Sequence, residues 1–473
     1  MKSYLPKALQ EGDEVSAERA AELLESVSRI LENHVVPYTV KMGEALKTGF
    51  VEWRGEGIYV YTPDGQKRFD CVGGGGVFGL GFAHPDLVEA VCQQARRGGL
   101  ATRAGYLPNQ AELAEKLLAV APDNLKFAFF ANSGTESVEC AIKLARLATG
   151  RSKLIGTHMG YHGLSTGTIS LSGIGVWRDG IGPYLEGTEL VHHGDLDNLA
   201  EVLDEDTAAV VLEPIQWASG CKVVDIDYFQ KVSEMCKEKG ALLILDEVQT
   251  GLGRTGYKFA LEHWNVKPDI LCVGKILSGG MIPISAVLYT EAVQAAEYKR
   301  ALFNNSSYGG NPIACAAGVT TLNLLQDKYF ERSRILGDQL ATGFDQLVEE
   351  FPDVLAGYHG LGLMRCMEFR APVAGYIFST RMATKHSVIV ASMGHMPTFV
   401  RVSPPFICTD QDMAYLLDAC RACIKELQEL GIEGMMRELE AIIATVNRVN
   451  GEIEAEAQQG AAQHEARAEV AAP

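Results

Sequence analysis

The sequence predicts an α/β protein: a mainly parallel sheet covered by helices on both faces, with a second, smaller α+β domain. Two observations carry this. Between about residues 109 and 325, helical patterns alternate with short branched apolar runs: FAFFAN, KLIGTH, AAVVLEP, ALLILDE, DILCVGK and ISAVLY. Strands alternating with helices build parallel sheets, because each crossover lays a helix on a sheet face. The chain also has 473 residues, more than one compact core usually holds, so two or three domains are expected.

The elements follow in order. SAERAAELLESVSRILEN, residues 16–33, reads as an amphipathic helix. Residues 51–72 alternate like strands around the turn TPDG. A glycine-rich stretch, GGGGVFGLG, then crosses into the main body. Domain limits are expected at 1–73 (helix and strands of the smaller domain), 74–325 (large domain), 326–450 (small domain and an extra helix) and 451–473. Met435, Met436, Leu439, Ile442, Ile443, Val446 and Val449 form a helical stripe, read as packing on the same subunit or on a partner. The last segment, GEIEAEAQQGAAQHEARAEVAAP, lacks large apolar residues and predicts a disordered tail. There are no internal repeats.

Composition excludes several classes. Hydrophobic residues at 47% and charged residues at 22% describe an ordinary soluble chain, and no apolar run reaches the length of a membrane span. The start, MKSYLPKALQEGDEV, has no apolar signal core, so a cytoplasmic location is expected. A net charge of -18 without a basic patch argues against nucleic acid. The 11 cysteines are scattered through apolar stretches, as buried thiols in a reducing compartment are. Cys420 and Cys423 make a lone CxxC in a helical pattern; without a second pair this reads as packing, and no metal is expected.

Ligands of parallel α/β sheets sit at the carboxyl ends of strands, so polar residues just after apolar runs are the candidates. In ALLILDEVQTGLGRTG, residues 241–256, a strand ends on Asp246 and Glu247. Lys275 closes the run ILCVGK. Alone it reads as a snorkelling surface lysine. Beside a strand-end aspartate and the glycines of GKILSGG it reads differently: a partly desolvated lysine loses its proton more easily and attacks a carbonyl to form a Schiff base. In FFANSGTESVECAIKLAR a strand ends at Asn132 and Ser133-Gly134-Thr135 opens a helix, whose free N–H groups suit a phosphate. Capping of that helix by Ser133, with Glu136 three residues on, explains the same residues, and both readings can hold together. One group uses all three features. An aldehyde-bearing cofactor with a phosphate and a ring nitrogen, pyridoxal 5'-phosphate, would take the lysine, the helix start and the aspartate.

From about residue 50 to 425 the chain resembles the class III, ornithine-type aminotransferases of the aspartate aminotransferase fold (fold type I). The resemblance lies in FFANSGTES, YHG at 161–163, VVLEPIQ, ILDEVQTGLGRTG, GKILSGG, SSYGGNPIACAAG and RVSPP, in that order. Within the group, CVGGGGVFGLGFAHP and LEHWNVKPDILCVGK are most similar to bacterial putrescine (diamine) aminotransferases.

The resemblance implies roles. Lys275 would be the Schiff-base lysine and the proton shuttle, and Asp246 would bind the pyridine nitrogen. Val248 would press on one ring face and Tyr161 would stack on the other. Gln249 would bond the ring hydroxyl, and Glu213 would bridge toward Gln249. Gly134 and Thr135, after Ser133, would bind the phosphate. His162 stands in the same group as a structural histidine rather than a base. Ser307 would reach the phosphate of a neighbouring subunit, which implies a homodimer or a higher homo-oligomer. Arg401 would hold the carboxylate of a keto acid. Many ornithine-type members continue EPIQ with Gly-Glu, and that glutamate masks the arginine while an amine is bound. Here Trp217 and Ala218 follow instead. Trp217 either fills space or walls the pocket toward an apolar or long amine. The expected function is transamination from a primary amine to an α-keto acid. An aminomutase or racemase of the same family, or a non-catalytic binding protein, are the rivals.

Overall fold

The computed structural model describes residues 14–101, 105–297 and 305–470. Its main sheet has seven strands, numbered here in chain order: β1 Leu125–Ala131, β2 Lys153–Thr157, β3 Thr188–Val191, β4 Thr207–Leu212, β5 Leu242–Asp246, β6 Ile270–Val273 and β7 Ser285–Thr290. They lie side by side as β1-β7-β6-β5-β4-β2-β3. Strands β3, β2, β4, β5 and β6 are mutually parallel, and β7 runs antiparallel to both β6 and β1.

The strand sequences explain this placement. All six residues of β4 and all four of β6 are buried, as strands covered on both faces must be. Alternate residues serve opposite faces. Val210, Leu212, Leu243 and Leu245 join one core. Ala209, Val211 and Ile244 join another with Val138, Ala141, Ile142 and Ala145 of the helix Gly134–Thr149. Because five strands run parallel, their carboxyl ends share one edge, and Thr157, Glu213, Asp246 and Lys275 lie at or just beyond it.

Strands from both ends of the chain meet in a smaller sheet. Arg54–Glu56, Tyr59–Tyr61 and Lys67–Asp70 form an antiparallel meander, and Val388–Ile389 adds to it parallel to Lys67–Asp70. A third sheet orders Leu355–Leu361, Met364–Phe369, Met396–Val402 and Ala391–Met393 in antiparallel array, and Arg401 lies opposite Cys366. The crossing at Gly73–Gly76 is one left-handed turn, with φ of 63°, 58°, 78° and 97°. Four such residues in a row suit only glycine.

The last helix, Asp410–Val470, breaks at Gly431 (φ 62°) and continues through the segment expected to be a disordered tail. Alanine, glutamate and glutamine favour helix without any apolar anchor. On the apolar stripe Met435 is buried, Leu439 packs on the core and Met436 is exposed. The side chains of Ile442, Ile443, Val446 and Val449 lie outside the described residues. No helix among the described residues is long and apolar enough to cross a membrane.

Glu247 is the second acid of the strand end, and its task is structural. Its carboxylate accepts the N–H groups of Ala260 and Leu261, both at 2.7 Å, and the Thr250 hydroxyl at 3.0 Å. It thereby pins the loop that follows β5. Burial pushes its pKa up to about 7, with the three donors opposing the rise. The folded state thus holds a proton that the unfolded chain loses above the ordinary carboxylate range. This group's contribution to stability therefore falls as pH rises toward 7. Glu247→Ala strands three buried donors, and about 3 kcal/mol of stability should be lost. The urea midpoint should drop at unchanged slope, and the variant should lack this acid's share of the pH dependence. An unmoved midpoint would show that these bonds do not hold the loop.

Candidate active site

Asp246 closes the central strand β5 and is 5% exposed. Its Oδ2 lies 2.8 Å from His162 Nδ1, and its Oδ1 accepts the Val248 N–H at 3.0 Å. His162 stands in the loop after β2, two strands away. The two residues therefore meet only because β2, β4 and β5 end together. Burial pulls the His162 pKa down, but the hydrogen bond and charge of Asp246, with Glu213 behind them, raise it overall. His162 is thus a buried brace for Asp246.

Lys275 begins the short turn Lys275–Ser278 just past β6, with φ of +44°. A non-glycine residue there is strained. Its Nζ donates to Gln249 Oε1 at 2.9 Å. The residue is half-buried, since a cavity opens onto it, yet the surrounding protein desolvates the amine. Desolvation, helped by the charge of Arg401, lowers its pKa to about 8, against the pull of Asp246 and Glu213.

Glu213 follows β4 and is buried. Its Oε1 accepts the Tyr161 N–H at 2.8 Å. Burial raises its pKa to about 8; His162 opposes the rise and Asp246 adds to it. Glu213 and Gln249 line the same cavity; Glu213 Oε1 takes the Tyr161 N–H, and the Gln249 carbonyl takes Lys275.

One cavity of about 150 Å³ gathers Gly134, Thr135, Tyr161, His162, Gly163, Glu213, Asp246, Val248, Gln249 and Lys275. A larger opening beside it adds Ser133 and Asn132 and shares Gly134 and Lys275. Ser133 caps the helix Gly134–Thr149, accepting from the Glu136 N–H at 3.2 Å, while the Glu136 carboxylate takes the Asn132 N–H at 2.6 Å. The first N–H groups of that helix, at Gly134 and Thr135, have by position no intrahelical acceptor. Two glycines must be bare. A Cβ on Gly134 would lie 2.7 Å from Val248, and one on Gly163 would lie 1.9 Å from Thr135 Oγ1.

Ser307 lies outside this cavity and is exposed; the neighbouring Ser306 makes the local bonds, to Gly309 and Asn132. Arg401 is buried, its guanidinium 5.4 Å from the Trp217 ring centre. Its Nε has no acceptor, and no ion pair to it is recorded among the described residues. Sequence reading missed Trp177 and His395, whose rings pack with Tyr161 and Trp217. Neither stands in a motif, so nothing in the sequence marked them.

Residues 43–424 match the family model described as aminotransferase class-III. The chain belongs to the class-III aminotransferases. It is 36% identical over 430 residues to a putrescine aminotransferase from Pectobacterium atrosepticum, a match covering 88% of this chain and 92% of the relative. The ornithine aminotransferase of Toxoplasma gondii superposes with a TM-score of 0.76 at 29% identity, covering 80% of this chain and 91% of that one. A six-fold mutant of a thermostable omega transaminase from Pseudomonas jessenii gives 0.74 at 25% identity, covering 80% and 93%. The fold is that of the type I pyridoxal phosphate aminotransferases. The protein is an aminotransferase, and its cofactor is pyridoxal 5'-phosphate.

The cavity fits that group. It offers an amine to an aldehyde, a braced carboxylate to a ring N–H, a helix start to a phosphate, and two glycines where a side chain would collide. The lowered pKa of Lys275 gives a direct test. In cofactor-free enzyme, acylation of Lys275 by acetic anhydride should rise through a midpoint of about pH 8, because the amine is protonated and inert below it. Mass spectrometry of the Lys275 peptide reads the result. A midpoint near that of exposed lysines, about 10.4, would show that burial does not depress this amine.

Proposed function

We propose that this aminotransferase moves an amino group from a primary amine without an α-carboxylate, a diamine or an apolar or long-chain amine, to an α-keto acid such as pyruvate or 2-oxoglutarate. The single observation that carries the reading is the convergence of Lys275, the Asp246–His162 pair, Gln249 and the bare start of one helix on one small cavity. Bound there, pyridoxal phosphate supplies an electron sink for the carbon that loses its proton.

In this reading Lys275 would hold the cofactor covalently at rest, and its freed amine would take and hand on the proton of the substrate carbon. Its depressed pKa keeps a usable share of neutral amine near pH 8. Asp246, fixed by His162, holds the ring nitrogen in its protonated state. Val248 and Tyr161 confine the ring, Gln249 orients its hydroxyl, and Gly134 and Thr135 take the phosphate beside Ser133. Glu213 fixes the Tyr161 backbone and so the position of that ring. Ser307, exposed on the single chain, suits a contact to the neighbouring subunit's phosphate, so we assign the enzyme as a cytoplasmic homodimer or higher homo-oligomer.

Arg401 favours transamination over a racemase or an aminomutase, since neither of those requires a separate acceptor. A buried guanidinium with an orphaned Nε, close enough to Lys275 to depress its pKa, is suited to a small keto-acid carboxylate.

Two tests follow from these roles. Asp246→Asn should keep the cofactor but lose about a hundredfold in single-turnover rate, roughly 3 kcal/mol of barrier. Near wild-type turnover would remove Asp246 from the electron-sink role. For Arg401→Ala, stopped-flow of the separate half-reactions should show the keto-acid half slowed about a hundredfold and the amine half far less, because only the acceptor carries the carboxylate. Equal slowing of both halves would mean that Arg401 holds the fold or the cofactor instead.

A further inference from the structure

Four rings from four separate segments pack together on the side of Tyr161. Tyr161 lines the cavity itself. Trp177 comes from the short helix Gly175–Arg178, Trp217 from the turn Trp217–Ser219, and His395 from the bend between the last two strands of the third sheet. The centroids of Trp177 and Trp217 lie 5.1 and 5.6 Å from that of Tyr161 and 5.9 Å from each other. His395 lies 5.5 Å from Trp177 and 6.2 Å from Trp217, and its Nε2–H donates to the Ala218 carbonyl at 2.8 Å. All four residues are half-buried, so the rings are packed on one another without being sealed in the core.

The charges around this wall are unlike those of a cation site. Arg401 stands over the Trp217 ring, and no acid is bonded to it among the described residues. Glu213, behind Tyr161, is occupied by the Tyr161 N–H, and burial keeps its carboxyl largely protonated at neutral pH. The exposed Asp179 carboxylate folds back over Gly175 of its own short helix. An ammonium group placed on the wall would therefore meet a guanidinium before it met a counter-charge.

We propose that Trp177 and His395, with Trp217, form a specificity wall that packs the distal part of the amine donor and selects an uncharged apolar body over a second ammonium group. This rests on the transaminase reading and narrows it, because it sets the donor apart from the diamine in the name of the Pectobacterium relative.

The test compares hexylamine with 1,6-diaminohexane, which differ only in the distal ammonium, on the cofactor-loaded enzyme. Hexylamine should have the higher kcat/KM by roughly tenfold or more. Trp177→Ala should lower that ratio about tenfold, and Trp177→Phe, which keeps an aromatic face, should restore most of it. A binding readout stands beside the kinetics: 3-phenylpropan-1-ol, which has no amine to react, should quench tryptophan fluorescence in the wild type and less in Trp177→Phe. If neither amine discharges the visible absorbance of the bound cofactor, the transaminase reading itself fails. If both discharge it, three results each overturn the wall while leaving transamination standing: a ratio near one or favouring the diamine, a ratio that Trp177→Ala leaves unchanged, or the absence of quenching.

Discussion

The site depends on keeping one carboxylate buried and fixed at the end of a central strand. Asp246 closes a strand flanked on both sides and pairs in register with Cys272, and its two oxygens are tied to His162 and to the Val248 N–H. A buried carboxylate without partners would take up a proton or pull the strand end toward water. The brace keeps the strand end in place. It also sets the backbone direction at Val248 and Gln249, and so decides which side chains line the cavity. Glu247 then turns away from the cavity and ties down the following loop, so two adjacent acids of one strand end do opposite jobs.

The same register brings Lys275 to the site. Asp246 pairs with Cys272 across β5 and β6, and the Glu247 N–H donates to the Cys272 carbonyl at 2.9 Å. Two residues beyond Cys272 the chain turns at Gly274, and Lys275 follows at the edge with positive φ. Backbone strain of this kind persists only where surrounding contacts impose it. Here β6 is wholly buried, Ile276, Leu277 and Ser278 anchor the turn in the core, and Gln249 receives the amine. The lysine is stretched between a rigid strand and a rigid loop, which keeps its position while its protonation changes.

How much of this the sequence shows depends on the range of each interaction. Strand runs, the helix start at Gly134 and the strand-end positions of Asp246 and Lys275 follow from local patterning, and they were legible. The pairing of His162 with Asp246 was not, because it is set by strand order across the sheet, 84 positions apart in the chain. The bond from the Tyr161 N–H to Glu213 shows the same limit: a backbone N–H carries no residue identity. Trp177 and His395 reach Trp217 only through folding of separate loops, and an isolated tryptophan in a loop looks like any other.

Arg401 shows how a departure from relatives can be stable. Burial disfavours its charge and lowers its pKa; a tryptophan face lies against it, and the thiols of Cys221 and Cys366 and the more weakly felt Asp70 carboxylate only partly oppose the fall. The position where relatives carry a masking glutamate is Ala218, which is fully buried and whose carbonyl is already bonded to His395. A cation over an aromatic face gains about 1–2 kcal/mol, less than breaking a buried ion pair costs. An incoming carboxylate therefore has little to displace. The wall that excludes a second ammonium group from the donor is, on this argument, the same wall that holds the guanidinium ready for the acceptor.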